Sequence, residues 1–290
     1  MRRVSPNIFT EVYYWGCNPS FLVTSDGVVM FDTPQQPKDA MAWREKMLEH
    51  GPLRYLFNTE PHGDHIMGNA YYPGVEVIAQ EGIRSRYDEQ VPAMTSQERV
   101  ERMKEQDPDS VWLLNHPDYP PNPPTRTFTD GMTLQLGNHT VRAIHMPGHT
   151  KPQTSFYVPE ENVVITGDNV FCGCKTFIQE GDPIEWLAAL EAIRKLDAAV
   201  IVPGHGEVTD NAYLTTQAQI LENWVGVVEG FVQAGMTEDE ALAQPLDVAS
   251  LDPYPIGQRL FAMSDALNGR NVRNIYQKLR QRQTPAVMTQ

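Results

Sequence analysis

Glu60-Pro61-His62-Gly63-Asp64-His65 places four metal-competent side chains in six positions. One loop of this kind can aim alternate residues at two adjacent cations, which scattered His and Asp residues do not do unaided. The loop follows the apolar run 53–57, which reads as a strand, so it begins where a strand gives way to a connection. Three later segments each offer one further donor in a similar setting: Met146-Pro147-Gly148-His149, Ile165-Thr166-Gly167-Asp168 and Val202-Pro203-Gly204-His205. Gly and Pro beside a donor force a tight loop and let the backbone approach an ion closely. Together the four segments describe a two-metal site.

The order of these segments resembles the metallo-β-lactamase fold superfamily, whose metal loop reads His-x-His-x-Asp-His and whose later ligands are His, a bridging Asp and His. The resemblance covers residues 8–206. It implies an α+β fold, a four-layer αββα sandwich. It also implies, residue by residue, one metal on Glu60, His62 and His149, the other on Asp64, His65 and His205, and Asp168 between them. Asp64 is expected at the catalytic centre as well. In the family an Asp at the position of Asp32 supports the metal loop through hydrogen bonds, a role expected here beside the simpler one of a strand-ending turn residue.

One departure stands out, because Glu60 occupies the place of the family's usual first His. Three carboxylates then face two divalent ions, and a bridging hydroxide brings the formal charge to zero. That makes a weaker Lewis acid but a more basic hydroxide. Carboxylate-rich sites favour harder ions, so the implied cofactors are two divalent metal ions drawn from Zn, Fe or Mn.

The resemblance implies a dinuclear metal-dependent hydrolase of a small ester, thioester, lactone or amide, with metal-bound hydroxide as nucleophile. No Gly-x-Ser-x-Gly elbow offers a serine nucleophile instead. Asp168 weighs against antibiotic degradation, since true β-lactamases of this fold usually lack the bridging Asp. The alternative is a diiron or dimanganese oxidoreductase or oxygenase on the same scaffold. Diiron members carry a carboxylate in the middle of the loop, where this chain keeps His62, and no flavin-binding domain is expected to follow.

The 290 residues suffice for one large domain or a domain with an appendage, and 41% hydrophobic content supplies a core. A net charge of −14 excludes a basic nucleic-acid-binding face as the dominant surface. It also gives no long-range capture of anionic substrates, leaving that to any local basic pocket. Cys17, Cys172 and Cys174 cannot build a disulfide framework and read as reduced thiols. Cys172 and Cys174 are either structural or line the pocket near Asp168. Met1-Arg2-Arg3 leads into Ser5-Pro6-Asn7 and not into an apolar run, and no apolar run approaches the roughly 18 residues of a membrane span. The expectation is a cytoplasmic protein with a small-molecule substrate and neither nucleic acid nor membrane as partner; a homo-oligomer stays open.

Along the chain, apolar runs 21–24 and 28–31 flank Ser25-Asp26-Gly27 and read as a β-hairpin. A helix is expected over 38–50, strands over 53–57 and 75–79, and a helix over 80–106 interrupted at Pro92. Residues 117–124, rich in Pro, form either a stiff surface connection or a wall of the substrate pocket. Strands follow over 125–128, 132–136, 140–144, 155–158 and 163–166. Asp182-Pro183-Ile184-Glu185 starts a helix whose spacing points Ile184, Leu187, Leu190, Ile193 and Leu196 inward. A strand over 199–202 leads to His205. These residues compose a catalytic domain, 1–208, with a helical appendage over 209–290 packed on it and clearest at 217–232 and 272–282. Arg270, Arg273, Lys278, Arg280 and Arg282 read as a solvated helix face. His145 reads as a non-ligand, and His50, His116 and His139 as loop or surface residues.

Overall fold

The computed structural model describes residues 1–256 and 264–283. The parts of the expected appendage at 257–263 and 284–290 lie outside the described residues.

Alternating and continuous apolar runs produce two sheets. The first contains β1 (Arg2–Arg3), β2 (Ile8–Thr10), β3 (Ser20–Thr24), β4 (Gly27–Phe31), β5 (Leu53–Phe57), β6 (Glu76–Gln80) and β7 (Arg126–Phe128), in chain order. Pairing is antiparallel from β1 to β4 and parallel from β4 to β7. The second sheet contains β8 (Gly131–Leu136), β9 (His139–His145), β10 (Thr154–Val158), β11 (Val163–Cys172) and β12 (Val200–Gly206). It is an antiparallel meander until β12 joins β11 in parallel.

The sheets meet face to face. Leu22, Phe31 and Phe57 of the first pack against Phe156, Ile165 and Val202 of the second. The rings of Phe31, Phe57 and Phe156 sit 4.9–6.0 Å apart, within the range where aromatic pairs attract. On the outer side of the first sheet, Phe21, Met30 and Leu56 are covered by Trp43 and Met47 of α1 (Pro37–Leu48). On the outer side of the second, Val164 and Ile201 are covered by α5 (Pro183–Lys195) and α6 (Tyr213–Gln233). Helix, sheet, sheet and helix make the expected four-layer α+β sandwich. The remaining helices are α2 (Gly63–Ile66), α3 (Glu81–Met94), α4 (Gln97–Gln106), α7 (Glu238–Leu242), α8 (Val248–Leu251) and α9 (Ser264–Gln283).

Three expectations need correction. Pro92 does not interrupt the helix after β6; it lies in the last turns of α3, and the break falls at Thr95–Ser96. Ser96 wins because its hydroxyl accepts the Arg99 N–H at 3.2 Å and caps α4. In α5 the cap on Asp182 forms, Leu190 and Ile193 are buried as expected and Leu187 and Leu196 pack against the same core, but Ile184 is 49% exposed and Trp186 and Ala189 complete the buried face. Trp186 sets this rotation by donating its indole N–H to the Asn169 carbonyl at 2.9 Å. His139 is not a surface residue: it is buried and pairs with Glu161 at 2.9 Å.

Residues of α6 and α9, including Leu221, Trp224, Val272 and Ile275, share one continuous core with α5 and the second sheet. Arg273 and Arg282 on α9 pair with Glu238 and Asp182. Among the described residues no helix is long and apolar enough to cross a membrane.

Candidate metal centre

Strand β5 delivers Asn58, Thr59 and Glu60 into the interior, and His62 then opens the single turn α2 that carries Asp64 and His65. The chain breaks out of extended geometry at Gly167, φ +53°, so that Asp168 turns toward the same place. A Cβ at Gly167 would fall 2.6 Å from the Thr59 hydroxyl, so glycine is required there by space as well as backbone. The loop after β9 brings in His149, and β12 brings in His205.

All seven side chains converge. Glu60, His62, His149 and Asp168 each offer an atom within 4.8 Å of the others, and so do Asp64, His65 and His205. Glu60 is fully buried, with Oε2 2.6 Å from His62 Nδ1 and Oε1 3.2 Å from His65 Nε2. Asp168 lies between the groups, Oδ1 3.2 Å from His65 Nε2 and Oδ2 3.2 Å from His205 Nε2 and 3.6 Å from His149 Nε2. Asp64 Oδ2 is 3.3 Å from His205 Nε2.

The cluster is over-supplied with negative charge and donors. Both oxygens of Glu60, Asp168 Oδ1 and His65 Nε2 are buried, and their short contacts with one another and with His62 lack hydrogen-bonding geometry, a costly state that a cation relieves. Burial pushes the Glu60 carboxyl up to about 7, and the Asp168 charge adds to this. Burial opposes a proton on His205, but Asp168 and Asp64 outweigh it and raise the imidazole to about 10. Burial holds His149 down at about 4, as the neutral imidazole that binds cations. Carboxylates that draw protons onto their histidine neighbours are a donor set that fits divalent ions.

A ring of supports orients these groups. Asp32, itself in the left-handed region at φ +54°, accepts from the Thr59 N–H at 2.7 Å and the Thr59 hydroxyl at 2.6 Å. Its Oδ2 also takes His65 Nδ1 at 2.9 Å, which leaves Nε2 facing the cluster. Sequence reasoning missed the rest. Glu180 contacts His62 Nε2 at 3.2 Å and receives both ends of the Arg86 guanidinium. Asn169 accepts the His149 N–H at 3.1 Å and donates to the Met146 carbonyl at 2.8 Å. Trp186 packs edge-on against His149, and Phe171 stacks on His205. Asn169, next to Asp168 in sequence, carried a signal of position; Glu180 and Arg86 carried none.

His62, Asp64, His149, Asp168 and His205 of the cluster line a cavity of about 350 Å³, lined also by Trp15, Gln36, Arg99, Arg102 and Phe177. The Pro-rich segment is irregular but does not wall this cavity; Pro117, Pro120 and Pro121 line a neighbouring one with Tyr71. Cys172 and Cys174 lie off it too, on the far side of His205. Cys17 sits behind His65, its thiol raised well above the ordinary range by burial. His145 turns away, its Nε2 2.8 Å from the Lys151 carbonyl.

The family model described as the metallo-beta-lactamase superfamily matches residues 12–205. An atrochrysone carboxyl ACP thioesterase of Aspergillus fumigatus is 31% identical over 102 residues, 35% of this chain and 32% of that protein. A hydroxyacylglutathione hydrolase of Bartonella henselae is 38% identical over 89 residues, 30% of this chain and 35% of that protein. The chain thus spans about a third of the length of these two relatives. Among solved structures, a metallo-beta-lactamase family protein from Thermus thermophilus superposes with a TM-score of 0.68 at 16% identity, covering 97% of this chain and 95% of that one.

Proposed function

The chain belongs to the metallo-beta-lactamase superfamily, and on that premise we infer that it is a dinuclear metal-dependent hydrolase of a small ester, thioester, lactone or amide. The observation that carries the reading is the cluster of seven donors, with buried oxygens that lack hydrogen-bonding geometry, on the wall of a cavity. Similarity to an ACP thioesterase favours the thioester among these bonds.

Glu60, His62 and His149 would hold one ion and Asp64, His65 and His205 the other, with Asp168 shared. Bound there, divalent ions supply Lewis acidity toward a carbonyl oxygen and activate water at neutral pH. The chain's own groups do the positioning. Asp64 faces the cavity as an ionised carboxylate: burial opposes the charge, but His65 and His205 outweigh it. Asp64 therefore accepts a hydrogen bond from the attacking water and aims it. Asp32 and Glu180 keep the outer nitrogens of His65 and His62 occupied, so their inner nitrogens stay directed at the donor cluster that would hold the ions. Trp186 and Phe171 exclude water from behind His149 and His205.

Glu60 favours a second reading. A third carboxylate hardens the site toward iron or manganese, as an oxidoreductase on this scaffold would use. Metal counts on protein purified without added metal, together with ester, thioester, lactone and amide substrates, separate the two. The expected result is two ions per chain and hydrolysis of one class, with both activity and bound metal lost in Asp168→Ala and in His65→Ala. Near-normal turnover by either variant would sink the dinuclear reading. Iron with oxygen consumption and no hydrolysis would select the oxidoreductase.

A further inference from the structure

Arg99 is 7% exposed, yet no carboxylate among the described residues pairs with it. Its guanidinium donates to two backbone carbonyls, Met94 at 2.8 Å and Gln35 at 3.4 Å, which leaves donors of its fork unused. The ionisable groups that bear on it are Tyr71, Tyr87 and a second cation, Arg102. Arg102 stands one turn along α4, is exposed, and has no ion pair among the described residues. Two like charges three residues apart on a helix repel, and a buried cation without a counter-charge is costly. Both line the same cavity as Asp168 and His205. Arg99 also borders the neighbouring cavity, but Arg102 does not, so an anion that engages both lies on the metal side.

Trp15, Met67, Met103 and Phe177 add apolar surface to the wall of the same cavity.

We propose that Arg99 and Arg102 form an oxyanion subsite, and that the substrate joins its cleavable carbonyl, through an apolar segment, to a carboxylate or phosphate group. The position of the carbonyl rests on the hydrolase reading; the anion subsite does not. An arginine fork matches the geometry of either oxyanion. The pair supplies a local positive field on a chain whose net charge is −14, which gives such a substrate no long-range attraction.

The test is binding first. Phenylmethanesulfonate, whose sulfonate is a poor metal ligand, and its neutral analogue benzyl methyl sulfone are titrated calorimetrically into the metal-loaded protein, Arg102→Gln, Arg102→Lys and Arg99→Lys. The sulfonate is expected to bind roughly tenfold or more tighter than the sulfone, an advantage lost in Arg102→Gln and partly kept in Arg102→Lys. Arg102 is exposed, so its variants fold even if Arg99→Lys does not. Equal binding of the two probes, or an unaltered sulfonate affinity in Arg102→Gln, overturns the proposal. Thioesters ending in carboxylate, phosphate or a neutral amide are then compared. A larger loss of kcat/KM in Arg102→Gln for one anionic thioester names the source of the oxyanion; equal losses on all three overturn the proposal. If none is hydrolysed while sulfonate binding behaves as expected, the hydrolase reading falls and the subsite stands.

Discussion

Glu60 is the residue whose environment is hardest to explain without a metal. It is fully buried, its short contacts with His62 and His65 lack hydrogen-bonding geometry, and Asp168 lies close enough to raise its affinity for protons. Glu60→Ala should therefore lose the ion held with His62 and His149 more readily than its neighbour. Glu60→His should keep both sites and shift preference toward zinc, because a neutral nitrogen replaces a charged oxygen. Metal counts with anomalous scattering at the iron, manganese and zinc edges read both outcomes; unchanged occupancy and preference would show that Glu60 is no ligand. Gly204 poses a steric question instead. A Cβ there would collide with Asp168 Oδ1 and lie 2.6 Å from the Gly167 carbonyl carbon. Gly204→Ala should displace Asp168, lower bound metal and cost about 1–3 kcal/mol of stability. A thermal melt beside a metal assay checks it, and an Ala variant with wild-type values for both contradicts it.

Local capping decided the ends and rotation of the helices. Residues with the right apolar spacing were visible for α5, yet Trp186 and its bond to Asn169 chose which stripe faces inward. Ser96 likewise set the start of α4, although Pro92 was the more conspicuous breaker. The turn between β10 and β11 shows how an element is pinned from afar. Glu161 there takes the Asn7 N–H at 3.1 Å, the Asn7 amide at 2.7 Å and His139 Nε2 at 2.9 Å. Burial resists its ionisation, but the bonds from Asn7, Ser5 and His139 outweigh burial and hold the carboxyl at about 2. A carboxyl depressed in the fold contributes stability that is complete above its unfolded pKa, about 4.3, and is lost as pH falls toward 2. The melting temperature should therefore drop between pH 5 and 3 by about 2 °C for each kcal/mol lost. Glu161→Gln should be less stable at neutral pH and flatter over that range; a parallel pH profile would assign the acid sensitivity elsewhere.

At the scale of the molecule, the expected catalytic unit and appendage share a core. Leu221 and Trp224 of α6 and Ile275 of α9 pack with Ile193 and Ile201. Ending the chain after residue 208 should expose that surface and give aggregation or lost activity, judged by light scattering and turnover. A well-behaved, fully active truncation would make 1–208 self-sufficient. The C-terminal helix also holds the site from behind: Asn274 donates to the carbonyls of Ile178 at 2.5 Å and Gly181 at 2.6 Å, on either side of Glu180.

The sequence by itself determined which donors exist, their order, and the strand-to-loop settings that present them, because strand runs, Gly and Pro act locally. Asp32 and Asp168 were legible in the same way, as acidic residues closing apolar runs. The layered sandwich followed from resemblance in ligand order rather than from periodicity. The direction of Glu60, the hold of Glu180 and Arg86 on His62, and the meeting of Arg99 and Arg102 with the metal cluster were decided only in the tertiary structure. Each depends on segments remote in the chain being brought together by sheet pairing and helix rotation. Those are set by the whole packed core, and no local pattern of residue types encodes them.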